Sequence, residues 1–345
     1  MKKKCYILLA FWLFIACSPI VDTSPQFADS GMFDISKAIE YLDKIIEHDQ
    51  KNAEALFQRA KLELQLGRTS KAKSDILAAL TEDPLNLNFL LLKAKICEQM
   101  GQLQESLRTI EFIQEKGMNL STVESQLFAS DIYMKFNNLS KADYYLQKAA
   151  SNAPHFPNVL FQRARYYALG HDTLKAMSFY KLLFQKDSTH ADGLMGVSEI
   201  FFTKNQPDSC LYFLSKIQEN KNLVYNILIA KTLMALNRLD SASYWWEVAL
   251  QQSPRLAEAH YELGKYYLVK KNYSIARAHL ASVPENERSK YVDFSLLFAK
   301  VSYNLSDSAN AAYYFKKALE LDSSLFRQEK QIVKKKSKIF IDSAK

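Results

Sequence analysis

The chain has 345 residues, of which 48% are hydrophobic and 24% are charged, and it contains only eight glycines and eight prolines. Its formal net charge is +8, but the excess lies at the two ends: Lys2–Lys4 contribute +3, residues 324–345 contribute +5, and residues 17–323 sum to zero. A basic face is the expected footprint of nucleic-acid binding. The neutral middle of the chain therefore argues against a nucleic acid as partner.

The N-terminal residues have the layout of a secretion signal. Three lysines precede an almost wholly apolar stretch from Cys5 to Ile15, which is too short for a comfortable membrane span. Phe14-Ile15-Ala16-Cys17 resembles a bacterial lipobox, although Phe stands where Leu is usual, and the resemblance implies that Cys17 is lipidated and begins the mature protein. The alternative is an ordinary signal peptide with an incidental cysteine. We expect a signal peptide over residues 1–16 and a tether over residues 17–33.

Small residues then recur along the chain at a nearly constant interval. One ladder has steps of 34, 36, 34, 34, 32, 34 and 35 residues and consists of Ala60, Ala94, Ser130, Ala164, Ser198, Ala230, Gly264 and Ala299. A second ladder keeps the same steps and consists of Ala38, Ala72, Ser106, Ala142, Ala176, Cys210, Ala242, Ala276 and Ala311. A period of this length indicates stacked supersecondary units rather than separate domains. The interval is two residues longer between Met118 and Pro154.

The unit that begins at Ala53 shows what is repeated. Leu56 and Ala60 fall on one face of a helix, Gly67 interrupts it as a residue tolerant of positive φ would, and Pro84 closes a second helix. Short side chains allow two helices to approach closely, and bulky residues recur opposite them. These bulky residues are Leu42, Ile76, Ile110, Leu146, Tyr180, Leu214, Trp246, Leu280 and Phe315. We predict a leading half unit followed by eight two-helix units over residues 34–323.

The pattern resembles the tetratricopeptide repeat, W-x2-L-G-x2-Y followed by A-x3-F, A and P. The unit from Leu223 matches it at the residues Ala230, Leu233, Ala242, Trp246, Ala249 and Pro254, although its first aromatic residue is lost. The unit from Ala257 matches it at Leu263, Gly264, Tyr267, Ala276 and Leu280. The resemblance implies an all-α, right-handed superhelical solenoid of helix-turn-helix units. Residues 324–345 repeat apolar residues at intervals of seven, and we expect them to form a basic amphipathic helix that caps the last unit.

In this family the first helix of each unit lines a concave face, so the resemblance implies a binding groove there. The fifth position of every unit is apolar: Phe57, Leu91, Leu127, Phe161, Met195, Ile227, Tyr261 and Leu296. The ninth position is mostly basic and includes Lys61, Lys95, Arg165, Lys231, Lys265 and Lys300, with Asp131 and Glu199 as exceptions. Such a surface suits an amphipathic helix or extended peptide. The alternative is that the fifth-position side chains pack between neighbouring first helices.

No motif for catalysis, a cofactor or a metal stands out. The chain lacks G-x-x-x-x-G-K, H-E-x-x-H and G-x-S-x-G, and its six histidines are scattered without metal-ligand spacing. Cys97 and Cys210 lie three units apart, too far for a disulfide, and are expected to be small buried hydrophobes. The Asp of the recurring Asp-Ser-Ala triplet, and Asp172, are expected to cap second helices.

These features favour a non-catalytic interaction scaffold. The chain resembles Bacteroidetes-type tetratricopeptide lipoproteins of the bacterial envelope, which implies a periplasm-facing outer-membrane protein that docks a peptide or subunit. The alternative is an envelope enzyme or carbohydrate-binding protein with a site built across the groove, which a desolvated cluster of titratable groups would favour.

Overall fold

The computed structural model describes residues 32–218 and 222–321, and within them all regular structure is helical. Seventeen α-helices and one 3₁₀ helix, Glu285–Lys290, are present in this part of the chain. The α-helices are α1 Met32–His48, α2 Ala53–Gln65, α3 Thr69–Glu82, α4 Leu87–Gln99, α5 Leu103–Glu115, α6 Val123–Lys135, α7 Leu139–Asn152, α8 Pro157–Leu169, α9 Thr173–Lys186, α10 Ala191–Thr203, α11 Pro207–Ser215, α12 Leu223–Ala235, α13 Leu239–Gln252, α14 Ala257–Val269, α15 Tyr273–Ser282, α16 Phe294–Asn304 and α17 Ser308–Leu321. Within the described residues, α1 occupies the position of the predicted half unit, and α2 to α17 follow as eight successive pairs of helices.

The chain divides into two bodies, residues 1–119 and 120–345. The first body contains α1 and the hairpins α2–α3 and α4–α5, and the second contains six hairpins from α6–α7 to α16–α17. Seven residues, 116–122, separate α5 from α6, whereas four residues, 83–86, separate α3 from α4. This longer connection lies where the ladder interval is extended. The predicted signal peptide, Cys17, the tether and the C-terminal capping helix lie outside the described residues and stay predictions.

The small-residue ladders form the centre of the packing. Every alanine, serine and cysteine of the two ladders has no more than 2% of its surface exposed, and Gly264 is buried as well. The bulky residues opposite are also buried, from Leu42 to Leu280, whereas Phe315 in α17 is half-buried. Two of the three serines in the ladders donate to a backbone carbonyl: Ser130 Oγ to that of Ala142 at 3.0 Å, across the α6–α7 hairpin, and Ser198 Oγ to that of Leu194 at 2.7 Å. The buried hydroxyl of Ser106 has no such partner among the described residues. The periodicity therefore marks the core of both bodies.

The turn inside each hairpin requires a residue in the left-handed region. Gly67 and Gly101 have φ of 72°, and Asn205 and Asn237 have φ of 55° and 56°. In other hairpins the residue with positive φ is Asn137, His171, Lys271 or Ser306. In the α8–α9 hairpin Gly170 has φ of −76°, and its neighbour His171, with φ of 61°, is the left-handed residue.

Asp residues cap two of the second helices as expected. Asp172 accepts from the amide of Lys175, and Asp307 accepts from the amide of Asn310. Asp240 does not cap α13: its carboxylate accepts from Tyr266 Oη at 2.8 Å and lies 2.7 Å from Lys270 Nζ. The capping interpretation therefore holds for Asp172 and Asp307 and is wrong for Asp240.

Cys97 and Cys210 are free thiols, and both are fully buried. Cys210 Sγ lies 3.2 Å from Thr232 Oγ1, and burial raises the pKa of both thiols. These two cysteines are packing residues, as predicted. Among the described helices, none is both long enough and apolar enough to cross a membrane.

Candidate functional site

The eight fifth-position side chains all lie on first helices, and we call them the first-helix row. None of these eight side chains is exposed. Leu127, Tyr261 and Leu296 are buried, and Phe57, Leu91, Phe161, Met195 and Ile227 are half-buried. The row therefore presents limited apolar surface, mainly at the five half-buried positions.

Several members of the row contact the following repeat. The Phe57 ring centroid lies 5.0 Å from that of Phe89, and the Phe161 ring lies 5.1 Å from that of His190. Tyr261 stacks on Tyr291 at 4.1 Å. The packing role that the sequence left open is thus present at these three positions. A binding role for the row stays a prediction.

The ninth-position cations are largely engaged with carboxylates. Arg165 Nη1 lies 2.5 Å from Asp131 Oδ1, Lys231 Nζ lies 2.9 Å from Glu258, and Lys265 Nζ lies 3.2 Å from Glu262. Lys61 and Lys95 are exposed in the first body, and Lys300 is half-buried. In the second body the predicted basic edge therefore carries charges of both signs. Asp131 on α6 pairs with Arg165 on α8, and Glu258 on α14 pairs with Lys231 on α12.

Asp131 shows how strongly such a pair is fixed. Only 14% of its side chain is exposed, and burial alone would raise its pKa. Arg165, together with Lys135 at 2.9 Å, outweighs that effect, and the pKa of Asp131 falls below its ordinary value. The carboxylate thus stays charged and joins α6 to α8.

Tyrosines and acids converge where α14 meets the segment before α16. Tyr261 Oη donates to Asp293, and burial followed by this hydrogen bond raises the pKa of the phenol. Burial also raises the pKa of the Tyr291 phenol to about 12 and raises that of the Glu262 carboxyl. Tyr261 is buried, its ring stacks on Tyr291 and its hydroxyl is bound to Asp293, so this side chain links α14 to the segment before α16. We therefore interpret this cluster as a joint between repeats.

Sequence reasoning missed a charged network in the first body. Arg59 forms a two-pronged contact with Asp75, through Nε at 2.8 Å and Nη2 at 2.7 Å, and its Nη1 reaches Asp43 at 2.7 Å. These residues line a cavity of about 520 Å³ formed by α1, α2 and α3. The sequence Leu56-Phe57-Gln58-Arg59-Ala60 recurs in α8 as residues 160–164, and there Arg163 instead places its guanidinium 4.4 Å from the Phe179 ring. The same five-residue sequence therefore places its arginine against different partners, because the neighbouring helices differ.

Sequence reasoning also missed a histidine pair. His260 and His279 approach with their Nδ1 atoms 3.1 Å apart, and His260 Nε2 lies 3.1 Å from the carbonyl of Pro254. A carbonyl only accepts, so His260 Nε2–H donates to it; when both imidazoles are neutral, His279 Nδ1–H then donates to His260 Nδ1. The histidines are therefore not all isolated, since the α14–α15 hairpin joins two of them. Within the described residues no three His, Cys, Asp or Glu side chains are arranged to hold a metal ion.

Comparisons with known proteins add to this picture. The family model of anaphase-promoting complex, cyclosome, subunit 3, matches residues 31–113, about a quarter of the chain. No curated protein sequence matches the chain.

Two solved structures share the fold at 16% sequence identity each. Pseudomonas aeruginosa pilF has a TM-score of 0.53, and the match covers 61% of this chain and 96% of that one. The human IFIT1 dimer with m7Gppp-AAAA has a TM-score of 0.55, and the match covers 84% of this chain and 69% of that one. A tetratricopeptide repeat protein from Parabacteroides merdae matches at 16% identity and a TM-score of 0.49, with 72% of this chain and 98% of that chain covered.

The repeat period, the buried ladders and the unbroken series of hairpins within each body agree with the residues that suggested the family. The chain has the tetratricopeptide-repeat fold.

Proposed function

We propose that this protein is a non-catalytic interaction scaffold of the bacterial cell envelope that docks a peptide or protein subunit along its first-helix row. The observation that carries the proposal is the row itself. Five of its apolar side chains are half-buried, so they keep accessible surface although the repeats pack around them. A surface built once per repeat can bind an extended segment through several weak contacts.

The charges along the row favour a polypeptide partner. Arg165, Lys231 and Lys265 each lie beside a carboxylate of the same surface, so they do not form a continuous cationic track. A polyanion would require such a track, whereas a polypeptide with apolar side chains and both signs of charge would not. The capped RNA of the IFIT1 structure is therefore not part of this proposal.

The experiment compares exposed positions on the two kinds of helix. Val224 on α12 is 54% exposed and lies three residues before Ile227, on the same helical face. Lys61 on α2 provides an exposed position in the first body. Tyr244 on the second helix α13, 60% exposed, is the matched control. A photo-crosslinking amino acid is placed at each position in turn, in the native host.

We expect one envelope protein to crosslink from positions 61 and 224 but not from 244. The Lys61→Glu and Val224→Asp variants, which alter only exposed side chains, should weaken its capture while leaving the melting temperature unchanged. If positions 61, 224 and 244 give the same adducts, the first-helix row has no special role in docking.

A further inference from the structure

A second surface lies in the first body, between the second helices α3 and α5 and the first helix α4. A trough of about 500 Å³ is formed by α3, α4 and α5, and its apolar lining includes Leu77, Leu80, Leu90 and Phe112. Leu90 is buried at its floor, and Leu77 at its wall is 41% exposed. This size falls within the range of ligand sites, and its apolar wall remains open to solvent. We call it the α3–α5 trough.

The polar lining of the trough has an excess of positive charge. Glu105 is the carboxylate of the lining, and it lies 2.8 Å from Lys73 Nζ and 3.8 Å from Lys93 Nζ. Arg108, also in the lining, makes no hydrogen bond or ion pair within the described part of the chain. One carboxylate therefore faces three cations. The trough suits a segment that places a carboxylate next to apolar side chains.

This chain carries such a segment just before α1. Pro19-Ile20-Val21-Asp22 combines apolar residues with an acid, and residues 5–36 contain no lysine or arginine. The C-terminal residues 324–345, by contrast, carry a net charge of +5 and would be repelled by Arg108.

The segment is long enough to reach the trough. Thr81, in the lining, lies one repeat of 34 residues after Glu47, so it occupies on α3 the position that Glu47 occupies on α1. Glu47 lies 15 residues after Met32 on α1. The distance from Met32 is therefore about 22 Å along the helix direction and up to about 20 Å sideways, since α2 packs against both α1 and α3, which gives a straight-line separation of about 30 Å. The eleven steps from Val21 to Met32 span up to about 36 Å when extended. The trough is thus within reach of Val21.

We propose that residues 19–22 bind in the α3–α5 trough, with Asp22 paired to Arg108 and Ile20 against the leucines. The segment between Cys17 and the repeats then serves as a strap that fixes where the chain leaves the first body. The proposal does not depend on the first-helix row, because none of the eight side chains of that row lines the trough.

Disulfide trapping in the full chain, in detergent, tests the strap. Cys5 and Cys17 are replaced by serine, and the buried Cys97 and Cys210 are kept. One variant pairs Val21→Cys with Thr81→Cys at the trough. The control pairs Val21→Cys with Lys44→Cys, an exposed position about 18 Å from Met32 along α1. The measurement is the rate of disulfide formation under mild oxidation.

We expect the 21–81 disulfide to form at least about tenfold faster than the 21–44 disulfide, a ratio that corresponds to about 1.4 kcal/mol of preference. Arg108→Glu should reduce the ratio to near one, and adding Asp22→Arg to that variant should restore it. Equal rates in the parent protein would overturn the proposal. That result is expected if another protein occupies the trough or if the trough is empty. A ratio that is insensitive to Arg108→Glu would also overturn it.

Discussion

Glycine 264 shows how little room the ladders leave for a side chain. A Cβ atom added there would lie 2.6 Å from both Cγ and Cδ2 of Leu280, the bulky residue on the second helix of the same hairpin. No residue with a Cβ atom could be accommodated at position 264 unless α14 and α15 moved apart. The small and large residues are therefore matched in shape as well as in polarity.

We expect Gly264→Ala to lower the free energy of unfolding by about 1–3 kcal/mol, the usual cost of overpacking a core. Gly170→Ala is the control, since its Cβ would meet nothing closer than 3.5 Å and its φ of −76° suits alanine. That change should be neutral or stabilising by up to about 1 kcal/mol. Denaturant unfolding of both variants measures the difference, and equal effects would show that the Leu280 contact is unimportant.

The histidine pair predicts a pH dependence. Burial, and then the positive charge that His260 can carry, lower the pKa of His279, while Glu247 opposes them. His279 also stacks on Tyr267 at 5.6 Å, and Tyr267 Oη donates to Glu247. Because the pKa of His279 is lowered by folding, the unfolded chain binds its proton more readily.

The stability contribution of neutral His279 should thus be complete above its unfolded pKa, near 6.5, and be lost as the pH falls towards its lower folded pKa. In His279→Phe, which keeps a ring against Tyr267, the free energy of unfolding should change less between pH 7.5 and pH 5.5 than in the parent protein. His155→Gln, at an exposed histidine, should keep the parent slope. A parent-like slope in His279→Phe would contradict the assignment.

At the scale of helices, ion pairs join first helices that are not consecutive in the chain. Arg165 on α8 donates to Asp131 on α6 and to Gln162 at 3.1 Å, and its guanidinium lies 5.6 Å from the Phe161 ring. Asp131 is largely buried, so the loss of Arg165 would leave a carboxylate supported mainly by Lys135. Removing one partner of such a link costs more than removing one partner of an exposed pair, because the buried carboxylate loses a compensating charge.

We expect Arg165→Ala to reduce the free energy of unfolding at pH 7 by about 1–3 kcal/mol, because a buried charge loses a hydrogen-bonded partner. The lowered pKa of Asp131 means that this contribution exists above the unfolded pKa, near 4, and disappears as the pH falls through the folded pKa. The variant and the parent should therefore converge in strongly acidic solution. Lys175→Ala, which removes the exposed pair with Asp172, should have little effect at either pH.

Helices and core were predictable from sequence because small and bulky residues alternate with the repeat period. Ala60 and Ile76 reveal their burial by recurrence alone. The contacts of the first-helix row were not predictable in this way. Whether Phe161 faces solvent or His190, and whether Arg165 is free or bound to Asp131, depends on side-chain directions across repeats whose sequences differ. The His260–His279 contact, nineteen residues apart, leaves no periodic trace for the same reason.

At the scale of the whole molecule, the repeats differ from the chain ends in net charge. Residues 17–323 are neutral overall, so their net charge supplies no attraction to an anionic membrane or nucleic acid. Attachment to the envelope, as proposed, then depends on Cys17. Each buried CH₂ of an acyl chain contributes about 0.8 kcal/mol, and several chains on one residue would hold the protein firmly.

We expect Cys17→Ser to abolish incorporation of labelled palmitate and to move the protein from the membrane fraction to the soluble or unprocessed fraction of the native host. Replacing Lys335 and Lys336 by Gln, which reduces the C-terminal charge, is the control and should leave the protein with the membranes. Fractionation combined with metabolic labelling distinguishes the two means of attachment. If Cys17→Ser stays acylated and membrane-bound while the lysine variant is released, the basic C-terminal segment, and not a lipid on Cys17, attaches the protein to the envelope.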